Sequence, residues 1–114
     1  MDTQFDSTEL DASKLFNRKG LQLVTYASGE TIIYNGDDSN HACKLLAGTA
    51  KVIREGDVVA TIRPGEYFGA IAAITGGKRS ATVVAVEHCV VELIDEKDFK
   101  QMIENDPELL NKLL

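Results

Sequence analysis

Seven short segments rich in Val, Ile, Thr and Tyr follow one another between residues 21 and 94, most of them closed by a Gly or Asp cluster, and that rhythm leaves few folds open. They are Leu21–Tyr26, Thr31–Tyr34, Ala42–Leu46, Ala50–Arg54, Val58–Arg63, Ala81–Val86 and Cys89–Ile94. The breaks fall at Ser28-Gly29, Asn35-Gly36-Asp37-Asp38, Ala47-Gly48, Glu55-Gly56-Asp57 and Pro64-Gly65. β-Branched and aromatic residues fit a pleated, half-buried surface, and regularly spaced turn signals between them indicate a sandwich or barrel. Glu55-Gly56 before Asp57 predicts a tight hairpin, because glycine supplies the positive φ that such turns require.

Outside those segments the pattern changes. Residues 1–13 are polar and irregular, and a short helix is expected from Ser13, with Leu15 and Phe16 turned inward, so that 1–20 forms an N-terminal arm and helix. Residues 21–114 then make up the β domain with its C-terminal helices. Asp95 is placed to cap a helix whose first turn holds Glu96 and Asp98, where negative charge suits the helix dipole. Phe99, Met102 and Ile103 recur at helical spacing. Asp106-Pro107 starts another helix, with Pro at its first position. The apolar face of that helix, Leu109, Leu110, Leu113 and Leu114, meets the terminus with no Gly cap and no polar tail. It is expected either to pack on a partner, a second copy included, or to belong to something longer.

At 114 residues and 44% hydrophobic composition the chain can fill one domain core. Its net charge of −6 disfavours general nucleic-acid binding, which depends on clustered Lys and Arg, so any anionic ligand must be held by a local positive site. No apolar run reaches the length of a membrane span, and Met1 to Leu10 carries no Lys or Arg, unlike a secretory leader. The expected location is the cytoplasm, with no membrane partner. Cys43 and Cys89 are far apart and form no CxxC pair; two buried thiols are expected rather than a disulfide or a metal site.

Residues 64–82 are the most informative stretch. They read Pro-Gly-Glu-Tyr-Phe-Gly-Ala-Ile-Ala-Ala-Ile-Thr-Gly-Gly-Lys-Arg-Ser-Ala-Thr. Gly65 and Gly69 bracket a turn, Ala70 to Ile74 forms one turn of apolar helix former, and Thr75-Gly76-Gly77 stops it. The start of a helix exposes unpaired N–H groups. Gly69 lets a ligand approach the backbone closely. Arg79 can fork two donors onto an oxyanion, and Ser80 adds a hydroxyl and an N–H. On spacing alone, a surface loop with two solvated cations accounts for the same residues equally well.

This stretch resembles the phosphate-binding cassette of the cyclic-nucleotide-binding domains, as found in catabolite-activator-type regulators, kinase regulatory subunits and cyclic-nucleotide-gated channels. The family pattern Phe-Gly-Glu-(Leu/Ile)-Ala, a loop, then Arg-(Ala/Ser/Thr)-Ala-Thr is matched by Phe68-Gly69-Ala70-Ile71-Ala72 and Arg79-Ser80-Ala81-Thr82. Gly29-Glu30, Gly36-Asp37, Leu45-Leu46-Ala47-Gly48 and Pro64-Gly65-Glu66 also resemble family turns, in order, across roughly residues 22 to 100. The resemblance implies a mainly β fold, an eight-stranded antiparallel jelly-roll barrel with flanking N- and C-terminal helices. It implies a small regulatory module that binds cAMP or cGMP and is not an enzyme. The implied ligand-binding residues are Gly69, Ala70, Ile71, Ala72, Arg79, Ser80 and Ala81. Arg79 would pair with the cyclic phosphate, Ser80 and the N–H of Ala72 would complete the cradle, and Gly69 would face the ribose.

One position departs from the pattern. The family carries Glu where this chain has Ala70, and that carboxylate accepts a hydrogen bond from the ribose 2′-hydroxyl. Losing a charged hydrogen bond costs about 1.5–3 kcal/mol, roughly 10- to 150-fold in affinity. Weaker binding, a changed ligand, and an empty β-roll kept for protein interaction or dimerisation all remain open. No long lid helix and no helix-turn-helix follow, so direct DNA control is not expected. A metal-dependent cupin on a similar barrel would need an HxH pair and further ligands, whereas His41 and His88 stand apart and no metal or other cofactor is expected.

Overall fold

The computed structural model describes residues 22–113. The expected N-terminal arm and helix therefore lie outside the described residues, as does Leu114. Two four-stranded antiparallel sheets stack face to face. One has the order β1 (Gln22–Tyr26), β8 (Cys89–Ile94), β3 (Ala42–Ala47), β6 (Tyr67–Phe68); the other runs β2 (Thr31–Ile33), β7 (Thr82–Ala85), β4 (Ala50–Arg54), β5 (Asp57–Ile62). This is the mainly β, eight-stranded roll implied by the sequence, formed as two stacked sheets rather than one closed barrel. All seven expected segments are strands. The eighth, Tyr67–Phe68, pairs with Lys44 and Cys43 and is too short to show any alternation in sequence.

Period-two alternation explains how the sheets face each other. Val83 and Ala85 of β7 and Cys89 and Val91 of β8 point inward and are buried, with half-buried residues between them. Ile33, Leu45, Ala50, Ile62 and Phe68 complete this inter-sheet core. Both cysteines lie within it, fully buried and in no disulfide, and burial pushes the Cys43 thiol up to about 12. The β4–β5 hairpin pairs Arg54 with Asp57, leaving Glu55 and Gly56 as a two-residue turn. Both have positive φ, 54° and 85°, the geometry that matches strand twist in a tight hairpin. Between Val52 and Ile53 the β4–β5 register slips, opposing three β5 residues, Val58 to Ala60, to two on β4.

Three helices lie among the described residues: α1 (Ala70–Thr75), α2 (Glu96–Asn105) and α3 (Pro107–Leu113). Asp95 caps α2 as expected, its carboxylate accepting from the Lys97 N–H at 3.1 Å. Asp106 ends α2 and starts α3, where its carbonyl accepts from the Leu109 N–H at 2.9 Å. A second core cluster joins the helices to the sheet ends through Ala42, Ala70, Ala73, Ile94, Phe99 and Leu109. No helix among the described residues is long and apolar enough to cross a membrane.

Candidate functional site

The segment after β6 turns sharply because of Gly69. Its φ is 68°, in the left-handed region that other residues avoid, and α1 starts at the next residue. At the far end the Gly76 N–H donates to the Ala72 carbonyl at 2.8 Å and stops the helix. The chain then runs alongside the β2–β3 loop. The Gly36 N–H donates to the Arg79 carbonyl at 2.8 Å, the Arg79 N–H to the Asp37 carbonyl at 2.9 Å, and the Asn35 N–H to Thr82 Oγ1 at 3.2 Å. These bonds fix where the Arg79 side chain must start.

That side chain is buried, with 4% of its surface exposed, the one charged residue in the core among the described residues. Its Nε donates to Ser39 Oγ at 3.1 Å, one terminal nitrogen to the Gly69 carbonyl at 2.8 Å, and the other to the His41 carbonyl at 2.7 Å. All three acceptors are neutral. Among the described residues no carboxylate forms an ion pair with it. Burial pulls the guanidinium below its ordinary range, an effect that the Asp37 carboxylate partly offsets. Burial, and then the Arg79 charge, likewise lower the pKa of His41, which the Asp37 and Asp95 carboxylates partly offset. A guanidinium has five N–H donors. Three are spoken for, leaving one on each terminal nitrogen.

A cavity of about 220 Å³ opens against this group. Gly69, Ile71, Ala72, Arg79, Ser80 and Ala81 lie on its wall, so six of the expected site residues converge there. Ala70 does not line it: its methyl is buried in the second core cluster with Ala42 and Phe99. The remaining wall is mostly apolar, from Ile33, Val52, Phe68 and Val83. A larger open groove of about 890 Å³ runs past Tyr67, Met102 and Leu109, away from Arg79. Charge, not size, marks the smaller cavity as the candidate site.

Sequence reasoning missed Arg54, which lines the same cavity and donates from Nε to the Ser80 carbonyl at 3.4 Å. Alternation could have found it, since Ala50, Val52 and Arg54 share one face of β4 and Ala50 is in the core. Lys78 also lies on the cavity wall and pairs with Asp38 at 2.7 Å, both side chains well exposed. An exposed pair of this kind contributes little to stability.

Gly69 also leaves no room for a side chain. A Cβ there would sit 2.7 Å from an Arg79 terminal nitrogen and 3.1 Å from Ile33 Cδ1. Gly69→Ala will therefore shift the guanidinium and destabilise the domain by at least about 1–2 kcal/mol from the left-handed backbone alone. Urea denaturation measures the loss.

Comparison with known proteins agrees with this architecture. Residues 23–106 match the family model described as "Cyclic nucleotide-binding domain". The cAMP-dependent protein kinase regulatory subunit of Schizosaccharomyces pombe is 34% identical over 91 residues, which is 79% of this chain and 22% of that protein. Among solved structures, Sp-2Cl-cAMPS bound to PKAR CBD2 superposes with a TM-score of 0.74 at 30% identity, covering 81% of this chain and 63% of the other. The catabolite activator protein of Thermus thermophilus superposes with a TM-score of 0.71 at 26% identity, covering 96% and 52%. The chain thus spans about a fifth of that curated relative. With the cassette, the two-sheet roll and a family match over residues 23–106, the chain belongs to the cyclic nucleotide-binding domain family.

Proposed function

We propose that this domain is a regulatory binding module, not a catalyst, that holds a cyclic nucleotide, cAMP or cGMP, in the cavity beside Arg79. The observation that carries this reading is the buried guanidinium itself. A charge taken out of water without a counter-ion is costly, and an anionic ligand supplies the missing partner. Its two remaining donors suit two oxygens of one phosphate. Ser80 and the Ala72 N–H complete the cradle, and the apolar wall from Ile33, Val52 and Val83 suits a ribose and base. Binding is weak because Ala70 offers the ribose 2′-hydroxyl no carboxylate.

Calorimetric titration with cAMP and cGMP up to millimolar concentration is expected to give saturable heat with at least one of them. No heat and no thermal shift with either would overturn the reading. A second reading, a ligand-free interaction module, draws on the three neutral acceptors that hold Arg79 without a ligand. In that case the same titrations stay flat and sedimentation shows self-association.

A further inference from the structure

The cavity has an excess of positive charge that a cyclic phosphate does not match. Arg54, Lys78 and Arg79 lie on its wall and, among the described residues, no Asp or Glu does. Lys78 is taken up by Asp38. Two guanidinium groups remain: that of Arg79, the residue before Ser80, and that of Arg54, whose Nε donates to the Ser80 carbonyl at 3.4 Å. Among the described residues the terminal nitrogens of Arg54 have no hydrogen-bond partner, whereas those of Arg79 are each half used. A cyclic phosphodiester carries one negative charge. A phosphate monoester carries close to two above pH of about 6, with three terminal oxygens to share.

We propose that Arg54 is a second phosphate-binding and specificity-determining residue, and that it makes this cavity favour a nucleotide with a terminal phosphate monoester over its cyclic phosphodiester. The inference rests on the nucleotide reading above and deepens it. Arg79 grips the phosphate from the buried side through its two remaining donors. Arg54 closes on the same phosphate from the strand side, as a planar fork can. Arg54 stands at the end of β4 on the face shared with Ala50 and Val52, so its backbone is held by pairing with Asp57 on β5.

The test compares cAMP with adenosine 5′- and 3′-monophosphates by calorimetry at pH 7.5, on the full chain and on Arg54→Gln. The expected result is that one monophosphate binds about 10-fold or more tightly than cAMP. Arg54→Gln should weaken the monophosphate by about 10-fold or more and cAMP by a smaller factor, so that the preference disappears. Lowering the pH to 5 protonates the monoester and should shrink the preference in the parent chain. If cAMP binds but neither monophosphate binds more tightly, or if Arg54→Gln weakens all ligands alike, the inference falls and the cyclic-nucleotide reading stands. If no nucleotide binds, both fall together. Circular dichroism spectra that coincide for the two proteins confirm that the exposed Arg54 side chain was removed without unfolding the domain.

Discussion

Replacing Arg79 with Gln will abolish measurable binding of any phosphate ligand. Two charge-assisted hydrogen bonds are lost at about 1.5–3 kcal/mol each, so affinity falls by roughly two to four powers of ten. Arg79→Lys will not rescue it fully. An ammonium has three donors, and Ser39, Gly69 and His41 already present three acceptors to this position. A lysine can serve the protein or the ligand, not both. Calorimetry on both variants, with thermal melts to verify folding, checks the order parent, Lys, Gln. Equal binding by parent and Gln variant would remove Arg79 from the site.

The second large effect is expected far from the ligand. Phe99 is fully buried, and its ring centroid lies 6.1 Å from that of Tyr67, tilted by 50°. Three of the five other buried members of its cluster are alanines, Ala42, Ala70 and Ala73, so Phe99 is the largest fully buried side chain there. The alanines cannot move in to fill the space, which leaves that to Ile94, Leu109 and Met102. Phe99→Ala should therefore cost near the upper end of the usual 3–5 kcal/mol for such a truncation. Phe99→Leu keeps most of the volume and should cost well under half as much. Because α1 leans on this cluster through Ala70 and Ala73, ligand affinity should drop together with stability. Urea midpoints and titrations on the same samples test both; a loss below about 1 kcal/mol would mean that the cluster collapses around the vacancy.

How much of this was legible in the sequence follows from the range of each signal. Strand alternation and glycine punctuation are local, and they placed seven strands and the helix capped by Asp95. The two-residue β6 carries no period and came only with the structure. The cassette residues converge because Gly69 bends the chain and because the β2–β3 loop is stitched to the segment around Arg79. Sequence indicates the bend but not the stitch: the partners Ser39 and His41 lie about 40 residues away and two of the three contacts use backbone carbonyls, which any residue can offer. Spacing alone leaves Arg79 equally a phosphate ligand or a solvated cation. Its burial is what turns a loop arginine into a charge awaiting a partner. Arg54 escaped notice because it belongs to no motif, only to a strand face.

The slipped register of the β4–β5 hairpin bears on what the edge of its sheet offers to other molecules. β5 is the outer strand of its sheet, and it exposes Val58 and Val59 at 57% and 50% of their surface. A flat apolar edge of that kind would be a template for strands of other molecules, the first step toward aggregation. The extra residue between Val58 and Ala60 bends the edge and breaks its run of outward N–H and C=O groups. Straightening it, by deleting Val59, would tidy the ladder and, by the same geometry, open the molecule to edge-to-edge polymerisation.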